Sequence, residues 1–169
     1  MGLGLLSKYY KKHDKEYYAD IPHGLLFLNF IVQRIFKINN EVPFSVHYTS
    51  KIQGIKYCNI ASDVRKSLTV SGGIYITAHE KSKLEIGEGT IFAWNVCIQT
   101  ANHNPLDFSE YIYKPVVIGK RCWIGNSVSI MSGVTLGDNV VIGANSVVTK
   151  SFPSNVVIAG VPAKIIKEL

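Results

Sequence analysis

The fold this sequence predicts is an all-β solenoid, a coil of short strands wound into a rod. Three observations carry it. First, an aliphatic residue returns every six positions, at Ile118, Ile124, Ile130, Leu136, Ile142 and Val148. Second, glycine follows it at Gly119, Gly125, Gly137 and Gly143, and a small or β-branched residue stands four places after it at Cys122, Val128, Val134, Val140 and Ser146. Third, the same register runs upstream through Ile86-Gly87, Phe92-Ala93 and Ile98, with Thr90 and Val96 in the fourth place, and weakly through Leu68 and Ile74. A period of six fits neither a helix (about 3.6) nor a flat strand (about 2). Three such units close one triangular coil of about 18 residues. The aliphatic residue points inward, and the Gly or Asn after it sits at the corner, where tolerance of positive φ permits the turn. A rod of this kind is expected to hold no helix. Glu80 stands where an aliphatic residue should, so one coil is imperfect.

Three parts follow along the chain. Residues 1–45 form a partly helical N-terminal segment. Within it, 4–16 is lysine-rich, and 25–37 places Leu25, Leu28, Val32, Ile35 and Phe36 near one helical face. That face is expected to pack on the rod or on a neighbouring subunit. The other reading is a segment held at a membrane surface, since Lys8, Lys11, Lys12, Lys15, Arg34 and Lys37 accompany the apolar residues. Residues 41–67 read as irregular strands leading into the first coils. Residues 46–160 form the rod, interrupted between Ile98 and Ile118 by an ejected loop, 104–117, that contains Pro105, Asp107, Phe108, Tyr111, Tyr113 and Pro115. A loop ejected from a regular solenoid usually carries function. Ser151-Phe152-Pro153 ends the repeat, 156–159 reads as a final strand, and 161–169 is a short basic cap over the open end.

Composition narrows the function. At 47% hydrophobic and 18% charged, the chain can bury a core. Its net charge of +6 suits nucleic acid, an anionic membrane surface or a phosphorylated ligand. No RNA-binding, helix-turn-helix or zinc-finger pattern points to nucleic acid. Cys58, Cys97 and Cys122 are widely spaced with no CxxC, which argues against a disulfide framework or zinc knuckle and suits a reducing cytoplasm. The expectation is a cytoplasmic protein, membrane-peripheral at most. No signal-peptide pattern opens the chain, and its longest apolar stretch, 25–32, is interrupted by Asn29 and too short to span a bilayer.

The run Ile118-Gly-Lys-Arg-Cys-Trp-Ile-Gly-Asn-Ser-Val128, the run 133–150 and Gly160-Val-Pro-Ala-Lys164 together resemble the hexapeptide-repeat acetyltransferases. The nearest branch is the maltose/galactoside O-acetyltransferase-like group, which includes polysaccharide O-acetyltransferases. The likeness spans about 68–169. It implies a left-handed parallel β-helix, against the usual right-handed crossover rule. It also implies a homotrimer with active sites between neighbouring rods, and transfer of acetyl from acetyl-CoA to a hydroxyl of a sugar or polysaccharide precursor.

The segment Thr100-Ala-Asn-His-Asn-Pro105 sits where that family has its catalytic stretch, so His103 is the expected general base. A sugar hydroxyl is a poor nucleophile at neutral pH, and an imidazole can take its proton as the oxygen attacks a thioester. Backbone N–H groups near Trp123 and Asn126 are candidates for holding the oxyanion. The resemblance places acetyl-CoA along Gly143-Ala144, Thr149 and Lys150, with Lys164 and Lys167 near the nucleotide phosphates. Tyr75, His79, Asn95 and Asn102 are candidates for the acceptor pocket, and Tyr111 and Tyr113 could stack on a sugar ring. Tyr75 and Lys83 depart from the sugar-acetylating relatives, which argues against a simple galactoside or maltose acceptor. Alternatives are a small non-sugar acceptor (an amino acid or antibiotic), a non-catalytic spacer, or a zinc enzyme like the γ-carbonic anhydrases with His47, His79 and His103. No histidine follows His103, so the paired downstream ligands are missing and no metal is expected.

Overall fold

The computed structural model describes residues 20–169. Its strands in chain order are β1 (Lys51–Gln53), β2 (Cys58–Ile60), β3 (Tyr75–Thr77), β4 (Leu84–Ile86), β5 (Ile91–Phe92), β6 (Cys97–Gln99), β7 (Ala101–Asn104), β8 (Asp107–Tyr113), β9 (Val116–Ile118), β10 (Trp123–Ile124), β11 (Ser129–Ile130), β12 (Thr135–Leu136), β13 (Val140–Ile142), β14 (Val147–Val148), β15 (Val156–Gly160) and β16 (Ala163–Glu168). They stack into three parallel sheets, each taking one strand per coil. The first is β1-β3-β6-β11-β14, the second β2-β4-β9-β12, and the third β5-β10-β13-β15, with β16 folded back antiparallel on β15. The fold is therefore mostly strand in parallel sheets with few helices, and the six-residue period is its physical record.

Register makes the core. Ile76, Ile98, Ile130 and Val148 are partners up the first sheet, Ile86, Ile118 and Leu136 up the second, and Phe92, Ile124, Ile142 and Ile158 up the third. These side chains are buried in one continuous cluster. Burying each contributes about 1.5–3 kcal/mol.

The glycines after the aliphatic residues serve a different purpose from the one expected. The positive-φ corner residues are Asn95, Arg121, Ser127, Asn139, Asn145 and Asn155, together with other glycines, and not Gly119, Gly125, Gly137 or Gly143. A Cβ on Gly125 would lie 2.5 Å from the Ile142 carbonyl oxygen, and one on Gly119 2.5 Å from that of Gly137. These positions need glycine because consecutive coils touch backbone to backbone there.

The rod does contain a helix. Val64–Val70 takes the place of a third-sheet strand in the first coil, beside β5, and buries Leu68 in the core. Leu68 thus extends the core without extending the strand repeat. The Ser71 hydroxyl donates to the Phe92 carbonyl and closes this junction. Residues 41–67, expected as irregular strands, supply β1, β2, a 3₁₀ turn at Ile55–Tyr57 and the start of that helix. Glu80 lies exposed on the loop between β3 and β4, pinched by the His79–Ser82 bridge, and Leu84 fills the core after it. The ejected segment is an antiparallel hairpin, β7–β8, rather than an irregular loop.

The N-terminal helix meets its own rod mainly through residues other than the expected apolar face. It runs His23–Phe30 and loosens into a π-turn at Ile31–Ile35. Its buried side chains are Leu26, Asn29 and Gln33. Leu28, Ile35 and Phe36 of the expected packing face are exposed. Leu26 packs with Ile21, Leu25 and Val70, and polar bonds to the 44–48 segment and to Thr69 hold the helix beside that cluster. Asn29 donates to the Ser45 hydroxyl and the Thr69 carbonyl and accepts from the Tyr48 amide. Gln33 donates to the Phe44 carbonyl and accepts from the Val46 amide. The lysine-rich stretch 4–16 lies outside the described residues. Among the described residues no helix is long and apolar enough to cross a membrane.

Candidate active site

The β7–β8 hairpin leaves the rod at the corner between the first and second sheets. Its base is pinned by three contacts. The Thr100 and Ser82 hydroxyls share a bond of 2.9 Å, the Lys114 amide donates to the Thr100 carbonyl, and the Asn102 amide donates to the Ser132 hydroxyl on the next coil. An open cleft of about 370 Å³ lies between the hairpin and the first sheet. Gln53, Tyr75, Thr77, His79, Gln99, Thr100, His103, Tyr111 and Tyr113 line it.

His103 stands on β7 opposite Tyr111 of β8, with ring centroids 4.3 Å apart. Its Nδ1 is 2.8 Å from the Phe108 carbonyl oxygen. A carbonyl can only accept, so Nδ1 carries the hydrogen, and in the neutral ring Nε2 keeps its lone pair. The hairpin thus holds the imidazole in the tautomer that a base requires. The Asp107 carboxylate, which receives the Ser109 amide and hydroxyl, braces the tip, and these bonds push its pKa below the usual value. The rings continue from Tyr111 to Tyr113, which stacks on His79 at 4.5 Å. Tyr75 donates its hydroxyl to Gln53.

Of the expected acceptor residues, Tyr75 and His79 join His103 in the cleft. Asn102 anchors the hairpin base instead. Asn95 is a corner residue at φ 58° on the far side of the first sheet. Sequence reasoning missed Gln53, Thr77 and Gln99, which are registered partners on three consecutive strands of that sheet. Their signal would have been polar residues alternating with the buried Ile52, Ile76 and Ile98. The Phe108 carbonyl is backbone and leaves no mark in a sequence.

The residues expected for acetyl-CoA and the oxyanion fall at four places, two of them corner columns. Thr149 and Lys150 lie on the hairpin's own corner, two coils further along, with the Lys150 ammonium 5.6 Å from the Phe152 ring. Asn126, Gly143 and Ala144 lie on the corner between the third and first sheets, where the Asn145 amide donates to the Asn126 carbonyl. Trp123 is exposed on the outer face of the third sheet. Lys164 and Lys167 pair across from Ala159 and Val157, and a register shift between Val157 and Ile158 sets both on the same face as these partners. The first sheet separates the two corner columns within one chain.

The three cysteines line no part of the cleft. Burial raises all three thiols, that of Cys58 to about 11, so none is a ready nucleophile at neutral pH. His47 is buried away from the cleft, between Tyr48 and Trp94, with Nδ1 2.9 Å from the Thr49 hydroxyl. The three histidines considered for zinc therefore do not meet. Among the described residues no group of three or more His, Cys, Asp or Glu is placed to hold a metal ion.

Comparison with known proteins bears on the family and the fold. The family description "Bacterial transferase hexapeptide (six repeats)" matches residues 115–150. Over 107 residues the chain is 40% identical to WbbJ of Escherichia coli (strain K12), named for lipopolysaccharide biosynthesis O-acetyl transfer, covering 56% of this chain and 55% of that protein. It is 37% identical over 117 residues to the galactoside O-acetyltransferase of the same strain, covering 67% and 58%. The chain thus spans little more than half the length of these curated relatives. Among solved structures, a galactoside acetyltransferase in complex with coenzyme A superposes with a TM-score of 0.51 at 26% identity, covering 89% of this chain and 84% of that one. The likeness to hexapeptide-repeat acetyltransferases read from the sequence holds in all three comparisons.

Proposed function

We propose that this chain, a carrier of the bacterial transferase hexapeptide repeat with O-acetyltransferases for relatives, moves acetyl from acetyl-CoA to a sugar hydroxyl in surface polysaccharide biosynthesis. One observation carries the chemistry: His103 faces an open cleft with Nδ1 bound to the Phe108 carbonyl, which leaves Nε2 to act as base. In the proposed step, Nε2 takes the acceptor hydroxyl proton while the oxygen bonds to the thioester carbonyl carbon. The resulting oxyanion is held by backbone N–H groups near Trp123 and Asn126. Collapse breaks the carbon–sulfur bond, and the imidazolium returns its proton to the departing thiolate. The products are an acetyl ester and coenzyme A, with no acyl-enzyme between them.

The two separated columns of expected residues support a site completed by a second copy. A homotrimer of left-handed coils, as the resemblance implies, would set Thr149 and Lys150 beside His103 on one rod against Asn126, Gly143 and Ala144 on its neighbour. Lys164 and Lys167 would then offset the nucleotide phosphates. A cytoplasmic location fits a donor made in the cytoplasm. Phe27, Leu28, Ile35 and Phe36 are exposed beside Lys37, a pairing suited to a peripheral position on an anionic membrane.

The test is acceptor-dependent thiol release from acetyl-CoA across a panel of sugars and nucleotide sugars. His103→Ala is expected to lower turnover by about 10²–10⁴ with little change in acetyl-CoA binding. Substrate-dependent turnover that survives the substitution would remove His103 from the role of base.

A further inference from the structure

Charge is sorted by corner along this rod. At the corner between the second and third sheets it is matched. Lys120 pairs with Glu88 at 2.9 Å, its amide donates to Asp138, and the Asp63 carboxylate accepts the Gly89 amide. The corner between the third and first sheets carries Trp94, Asn95, Asn126, Ser127 and Asn145 and no charge. The corner bearing the hairpin is different. Lys56, Lys81, Lys83, Lys114 and Lys150 follow one another up it, all exposed. Glu80 lies on the same corner and, with Glu41, acts on Lys56, and the hairpin itself carries Asp107 and Glu110, so lysine is in excess there rather than alone. The cleft itself is lined by neither carboxylate nor lysine, so the lysines stand at its rim.

We infer that the acceptor is an anionic sugar, one bearing a carboxylate or phosphate, drawn into the cleft by the lysines of the first two coils. This rests on the O-acetyl-transfer reading and adds the class of acceptor to it. The lysines divide about His103. Lys150 lies two coils beyond the hairpin, beside Thr149, where the donor is proposed to lie. Lys56, Lys81 and Lys83 lie on the opposite side, below the hairpin. The Lys81 ammonium is 5.5 Å from the centroid of the Tyr113 ring, which lines the cleft. The Lys83 carbonyl accepts the Val116 amide, which fixes that lysine's backbone beside the hairpin base. An ammonium donates and cannot accept, so it reads oxygens on the ligand, most strongly charged ones. An excess of one sign along a groove also raises the encounter rate of an oppositely charged ligand, in a salt-dependent way.

The experiment compares matched pairs in the thiol-release assay: methyl glucoside against methyl glucuronide, and glucose against glucose 1-phosphate. The anionic member of at least one pair is expected to show the higher kcat/KM, with an advantage that shrinks as salt is raised. Which pair responds tells carboxylate from phosphate. Lys81→Gln combined with Lys83→Gln is expected to reduce the anionic-to-neutral ratio about three- to tenfold. Lys150→Gln is expected to raise the KM for acetyl-CoA instead. Equal rates within both pairs, or an anionic preference untouched by the double substitution, would overturn the inference and leave O-acetyl transfer standing. Acetyl-CoA binding without thiol release for any acceptor would remove the transfer reading, and this inference with it.

Discussion

Replacing Asn29 with alanine removes a side chain that is 0% exposed and makes three bonds, to the Ser45 hydroxyl, the Thr69 carbonyl and the Tyr48 amide. Each neutral hydrogen bond contributes about 1 kcal/mol net, and a buried partner left without one costs a further 1–3 kcal/mol. The expected loss is about 4–6 kcal/mol, or roughly 15 °C in Tm for a chain of this size. Leu28→Ala, one residue away, touches a side chain that is 38% exposed and is expected to cost less than about 1 kcal/mol. A helical wheel drawn on hydrophobicity gives the reverse order. Urea denaturation at two protein concentrations measures both costs and separates any contribution from subunit contacts. Hydrogen exchange adds a local readout, because the Tyr48 amide loses its acceptor only in the Asn29 variant. If Leu28→Ala proves the costlier at both concentrations, with Tyr48 protection unchanged, the docking of the helix through its polar face is refuted.

Two further outcomes are open to measurement. Burial holds the His47 pKa below its ordinary value of 6.5, so the folded protein resists a proton that the unfolded chain accepts. Stability is therefore full above that value and declines as pH falls through it, and His47→Gln is expected to flatten a Tm profile between about pH 7.5 and 5. The exposed Phe27, Leu28, Ile35 and Phe36 predict co-sedimentation with phosphatidylserine vesicles that Phe36→Ser combined with Ile35→Ser abolishes. Sedimentation unchanged by that pair would place any membrane contact elsewhere.

The legible part of this fold was the part with a period. From Ile118 to Val148 each coil repeats the one below it, so one residue type recurs wherever the same packing recurs. Legibility failed where a position answers to a neighbour remote in sequence. Gly119 and Gly125 look like turn glycines until the coil above is present, and then their role is to let two backbones approach. Leu68 fits the aliphatic series because the core needs a large side chain there, and a helix delivers it as well as a strand would. Asn29 and Gln33 read as interruptions of an apolar stripe although they carry the helix's docking bonds. In the cleft, His103 was legible through a short segment that resembles the family's catalytic stretch. Gln53, Thr77 and Gln99 were not, because they meet only when three coils stack.

The hairpin carries both His103 and the carbonyl that aims it, and the strands on either side of it pair with their neighbouring coils as though it were absent. Scaffold and proposed chemistry are therefore carried by separate parts of the chain. The rod supplies a fixed mounting point, and a span of exposed β-ribbon supplies the alignment. On the proposed reading of His103 as base, heat acts on these two parts in sequence: loosening of the ribbon misaligns the imidazole while the stacked core is still intact, so loss of activity precedes melting and belongs to a dozen or so residues.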